Sequence, residues 1–144
     1  MPKDHENIRI AVVDDRGSVV DEFEQLFGIE LPGATVAKFE SADEALAAID
    51  AGEEWSFWIV DLMMPIGTVL SRGETDDGLS TGIVVIKRLV ESSVTISGDI
   101  IAFTLRDVVV ADFQVDENIV ILPKREHTPT DVVVRVRDTV NGEG

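Results

Sequence analysis

The apolar positions of this chain switch repeatedly between two periods. Residues 8–13, IRIAVV, form an almost unbroken apolar run that stops at Asp14-Asp15, the pattern of a strand buried on both faces. Residues 18–29, SVVDEFEQLFGI, then place Val19, Phe23, Leu26 and Phe27 at helical spacing. Leu31-Pro32-Gly33 breaks the chain, and 34–39, ATVAKF, predict a second strand. Ser41 with Glu44 has the spacing of a capping box, opening a helix over ADEALAAIDA that ends at Gly52. Residues 56–60, SFWIV, predict a third strand ending at Asp61, with Trp58 in the core. A helical pattern resumes at Gly82, where GIVVIKRLVE aligns Ile83, Ile86, Leu89 and Val90 on one face.

The second half continues in the same way. Residues 99–103, DIIAF, predict a fourth strand ending at Thr104, and 119–122, IVIL, a fifth followed by Pro123-Lys124. Between them DVVVADFQV (107–115) suits a strand by its β-branched content and a short helix by its position. Thr128-Pro129 predicts the start of a last helix, with proline well placed in its first turn. The segment TDVVVRVRDTV is valine-rich, so its helix must draw stability from packing rather than propensity. Asn141-Gly142 closes it.

Strand and helix alternating five times predict an α/β fold: a doubly wound parallel sheet covered by helices on both faces, a three-layer sandwich. The 144 residues suit one domain, 1–144, with a sizeable core. No apolar run approaches the ~18 residues of a membrane span, and the charged start MPKDHENIRIAVVDD lacks the apolar stretch of a secretion signal. The chain has no cysteine, which excludes disulfides and thiolate metal sites. A cytoplasmic location is expected. Twenty-eight acids against twelve bases give a formal charge of −16. Such a surface repels nucleic-acid phosphates and anionic lipid, so no direct nucleic-acid or membrane binding is expected. The acids are either a solvating surface, partly a cation site, or both.

In an open parallel sheet, sites form beyond the carboxyl ends of the strands. Those ends carry Asp14 and Asp15, Asp61, Thr104 and Lys124. Each alone reads equally well as a cap or a solvated loop residue; together they put three carboxylates, a hydroxyl and an ammonium on one rim. Crowded carboxylates repel, and a divalent cation removes the repulsion. Oxygen donors without histidine or cysteine point to Mg2+. A carboxylate beside a metal and a lysine is an arrangement for phosphoryl transfer, in which the carboxylate can act as nucleophile.

The stretches VVDDR (12–16), SADEAL (41–46), VDLMMP (60–65), IAFT (101–104) and LPK (122–124) resemble the receiver domains of two-component response regulators over about residues 8–140. The resemblance implies a five-stranded flavodoxin-like sheet in the order 2-1-3-4-5. It implies that Asp61 is the phosphoacceptor. Asp15, Asp61 and the backbone carbonyl of Met63 would bind Mg2+ directly and Asp14 through water. Thr104 and Lys124 would contact the phosphoryl group. The donor would be a histidine kinase or a histidine phosphotransfer protein, and the effect would pass to a downstream effector protein or onward along a phosphorelay. With no output domain encoded, a stand-alone receiver is expected: a signalling phosphoacceptor that assists its own phosphorylation and dephosphorylation, rather than an enzyme.

The sequence departs from the family at four places. IGTVLSRGETDDGLST follows the phosphoacceptor motif as an insertion at about 66–81, some nine to thirteen residues long depending on whether Gly78 or Gly82 matches the family's glycine; loops of this kind are usually functional or disordered. Ile121 stands where many receivers carry Tyr or Phe, Pro123 precedes Lys124 instead of following it, and the bulky Leu105 follows Thr104. These leave a second reading open, a non-phosphorylated pseudo-receiver adaptor that acts through the insertion. A third, an Asp-nucleophile phosphohydrolase, wants Asp-x-Asp at the first strand end and meets Asp14-Asp15-Arg16 instead. Arg16 is either a steering residue for the phosphodonor or a surface charge, and His5 and His127 have no partner at metal-ligand spacing.

Overall fold

The five apolar runs become β1 (Arg9–Val13), β2 (Thr35–Phe39), β3 (Phe57–Val60), β4 (Ile100–Thr104) and β5 (Ile119–Pro123), all paired in parallel in the order β2-β1-β3-β4-β5. Four helices accompany them in the described part of the chain: α1 (Gly17–Glu30), α2 (Ala42–Asp50), α3 (Thr81–Glu91) and α4 (Pro129–Val140). This is the expected flavodoxin-like α/β order. The computed structural model describes residues 7–62, 81–92, 98–104 and 119–142. His5, Met63, the expected insertion up to residue 80, Leu105 and the ambiguous stretch 107–115 lie outside the described residues.

The pleat sorts the strand residues into two layers. Ile10, Val12, Phe57, Ile59, Ile101 and Phe103 pack with Phe23 and Phe27 of α1 and Val132, Val133 and Val136 of α4. The intervening positions Ala11, Val13, Trp58, Val60, Ile100 and Ala102 pack with Leu46 and Ile49 of α2 and Ile86 and Leu89 of α3. Successive side chains of a strand point to opposite faces, so a strand buried on both sides is apolar along its length, as β3 is and as β4 is up to its terminal Thr104. Trp58 is fully buried, as expected, stacking on Phe39 and meeting Trp55 edge-on. In α1 the buried stripe runs through Val20, Phe23 and Phe27, with Val19 and Leu26 half-buried beside it.

The helix ends differ from expectation in one detail. The Ser41 hydroxyl accepts from the Glu44 N–H at 3.1 Å, but the Glu44 carboxylate accepts from the Glu40 N–H at 2.7 Å rather than from Ser41. The long Glu side chain reaches the next free donor out, which the extended backbone at Ser41 presents to it. The reciprocal capping box occurs at α4, where Thr128 and Asp131 bond to each other's backbone at 3.2 and 2.9 Å. That cap and three buried valines hold a helix whose propensity is poor. No described helix is long and apolar enough to cross a membrane.

Candidate functional site

Because all strands run in parallel, their carboxyl ends share one edge of the sheet. The two outer hydrogen bonds of the ladders continue into the site: the Asp14 N–H donates to the Phe39 carbonyl at 3.1 Å, and the Asp61 N–H donates to the Val13 carbonyl at 2.9 Å. Both acids are thus fixed by the rigid sheet rather than by a loop. Thr104 is the last residue of β4 and is fully buried. The Lys124 N–H donates to the Thr104 carbonyl at 2.8 Å, which carries the lysine one step beyond β5.

The side chains converge. Carboxylate oxygens of Asp14, Asp15 and Asp61 lie within 4.8 Å of one another. Asp14 and Asp61 are only 3% and 6% exposed, whereas Asp15 opens to solvent. The Lys124 ammonium crosses the end of β4 and lies 3.3 Å from Asp14 Oδ2 and 3.4 Å from Asp61 Oδ2. Its stem is nearly buried, and the ammonium sits 5.3 Å from the centre of the Phe103 ring. Asp14 Oδ1 takes the Arg16 N–H at 2.9 Å and faces Arg16 Nε at 3.5 Å.

The donor set suits a hard divalent cation. Three carboxylates within reach of one point, one of them solvent-facing, match the one or two carboxylates plus waters that Mg2+ takes. Among the described residues no histidine joins the cluster, and the chain has no cysteine. Two nearly buried carboxylates close together repel. Lys124, which touches both, carries one positive charge against their two negative ones.

Four of the five rim positions found in the sequence meet directly here: Asp14, Asp15, Asp61 and Lys124. Thr104 adjoins them through its backbone bond to Lys124. Met63 is outside the described residues. Ile121 is half-buried, pairs with Ala102 and packs on the layer of α2 and α3. His127 lies in the turn after β5, its N–H donating to the Pro123 carbonyl.

The start of α3 adjoins the site. Thr81 is completely buried at the start of α3. Gly82 follows it, donating its N–H to the Leu62 carbonyl at 3.0 Å; a Cβ at Gly82 would run into the Asp61 carbonyl oxygen and come 2.5 Å from Leu62 Cα. Gly82 is therefore a glycine pressed against the strand-three end; Gly78 lies outside the described residues.

Three solved structures share this architecture. A BeF3-activated DrrB receiver domain matches with a TM-score of 0.66 at 18% identity, over 93% of this chain and 97% of its own. The isolated receiver domain of RcsB from Salmonella enterica serovar Typhimurium, in the presence of phosphomimetic BeF3, matches with 0.68 at 18%, over 94% and 90%. The signal receiver domain of a DNA-binding response regulator from Colwellia psychrerythraea 34H matches with 0.69 at 16%, over 93% and 98%. The chain has the receiver-domain fold. No protein-family model and no curated protein matches it by sequence. The receiver fold survives this divergence because its parallel sheet asks only for apolar strands and two apolar helical layers, which many sequences satisfy.

Proposed function

We propose that this chain is a phosphoacceptor receiver in which Asp61 accepts a phosphoryl group from the phosphohistidine of a histidine kinase or histidine phosphotransfer protein. The observation that carries the reading is the Lys124 ammonium set between Asp14 and Asp61, beside a third carboxylate at the carboxyl edge of the sheet. An Asp61 oxygen attacks phosphorus in line. The P–N bond of the donor breaks as the O–P bond forms, and the electron pair leaves on the imidazole nitrogen. Asp15 and Asp61 would hold Mg2+ directly and Asp14 through water, and the ion would supply charge neutralisation at the transferring group. Lys124 moves from the Asp61 carboxylate to a phosphoryl oxygen, and the Thr104 hydroxyl donates to another.

The product carries roughly −1.5 to −2 charge and three acceptor oxygens, by analogy with other protein phosphates. Redirecting Lys124 and Thr104 changes the ends of β4 and β5, and that change is what an effector protein reads. The role is signalling in the cytoplasm; turnover is limited to the protein's own phosphorylation and hydrolysis. Intact-mass measurement after incubation with Mg2+ and acetyl phosphate tests the reading. A gain of one phosphoryl group, absent without metal and absent in Asp61→Asn, is expected. No gain, together with failure to bind beryllofluoride, makes the chain a non-phosphorylated adaptor instead.

A further inference from the structure

Arg16 stands at the edge of the acidic site without being one of its acids. Its backbone N–H and its Nε both address Asp14 Oδ1, at 2.9 and 3.5 Å. The other oxygen of Asp14 faces Lys124, which faces Asp61. Arg16, Asp14, Lys124 and Asp61 thus form one line of alternating charge that runs from the surface inward. The two cations differ in access. The Lys124 side chain is 9% exposed, and that of Arg16 is 49% exposed. Neither terminal nitrogen of the Arg16 guanidinium has a partner among the described residues.

Phosphoryl donors are anions, and this chain has a formal charge of −16. Charges beyond about 8 Å are largely screened at physiological salt, so the nearest side chains decide whether such an anion enters. Among the described residues three carboxylates crowd the site against Lys124, and Arg16 adds a second positive charge at its edge. Its Nε is oriented by Asp14, which leaves the two terminal nitrogens of a half-exposed planar guanidinium without a partner among the described residues, a group that can engage phosphate oxygens two at a time.

We propose that Arg16 is the specificity-determining residue that recruits the phosphoryl dianion of the donor to the mouth of the site. The proposal rests on the phosphoacceptor reading for the fate of that anion, but not for its binding. The shared ligand chemistry is a phosphoryl dianion, on a small acyl phosphate or on a phosphohistidine. Arg16 touches the donor before transfer, while Lys124 waits inside.

The test uses the full chain and a non-transferable analogue of acetyl phosphate, acetonylphosphonate, titrated calorimetrically with Mg2+ present. Arg16→Gln is expected to weaken analogue binding about tenfold, the size of one charge-assisted contact, and Arg16→Lys to recover part of the loss. Mg2+ titrated alone is expected to bind Arg16→Gln more tightly than wild type, because a neighbouring cation has gone. Equal analogue affinity in wild type and Arg16→Gln overturns the proposal. So does weakening of Mg2+ and analogue together, which marks Arg16 as a mere support for Asp14, and so does a wild type that does not bind the analogue. An analogue that binds through Arg16 to a protein gaining no phosphoryl group from acetyl phosphate sinks the phosphoacceptor reading and leaves this one standing.

Discussion

The Gly82 N–H donates to the Leu62 carbonyl across 3.0 Å. The start of α3 is therefore held against the end of β3, beside the Asp61 backbone. The contact is possible because position 82 has no Cβ. Gly82→Ala places a methyl group against the Asp61 carbonyl and the Leu62 backbone, neither of which is a flexible side-chain end. The expected cost is about 1–3 kcal/mol in urea unfolding, the range for overpacking, with weaker beryllofluoride binding as Asp61 is displaced. A variant with wild-type midpoint and wild-type binding would mean that α3 shifts freely and does not position the site.

Lys124 is the cation common to two nearly buried carboxylates. Lys124→Met leaves both without it, and removing one partner of a buried ion pair costs roughly 3 kcal/mol or more. In the absence of metal the variant is expected to unfold at clearly lower urea. Added Mg2+ should raise its midpoint by more than it raises that of the wild type, since metal binds the folded state more tightly when no lysine competes for the charge. Equal Mg2+ shifts in the two proteins would show that Lys124 and the cation do not share those carboxylates.

Thr128 separates stability from site chemistry. Its capping box with Asp131 is exposed and serves a helix of low intrinsic propensity. Thr128→Ala should cost about 1 kcal/mol, with beryllofluoride and Mg2+ affinities as in wild type. Differential scanning calorimetry with parallel binding titrations checks both halves. A loss of binding at constant stability would tie the start of α4 to the site.

The formal charge of −16 predicts a salt dependence. Self-repulsion among surface acids weakens the compact state. Raising ionic strength from about 10 mM to about 500 mM, which shortens the screening length from about 30 Å to under 5 Å, should therefore raise the thermal midpoint. The nearly buried Lys124 pairs are screened far less, so Lys124→Met should show a similar increment. A midpoint that falls with salt would mean that exposed ion pairs such as Lys38 with Asp21 and Glu24 outweigh the repulsion.

Much of this molecule was legible as pattern. Continuous apolar runs marked strands buried on both faces, helical spacing marked α1 and α3, and the residues at the strand ends named Asp14, Asp15, Asp61, Thr104 and Lys124, because parallel strands necessarily end on one edge. Pattern is a local property, and these features are local. Which partner an acid takes is not. Lys124 lies far along the chain from Asp14 and Asp61, and its reach across β4 depends on the strand order and the direction of one long side chain. The close approach of Gly82 to the Asp61 backbone depends on where α3 meets the end of β3, and the displaced bond of Glu44 depends on which N–H stands open. Periodicity and strand-end chemistry thus determined the architecture and the cast of the site; packing decided which charges face each other, because distances between residues remote in sequence exist only once the layers have closed.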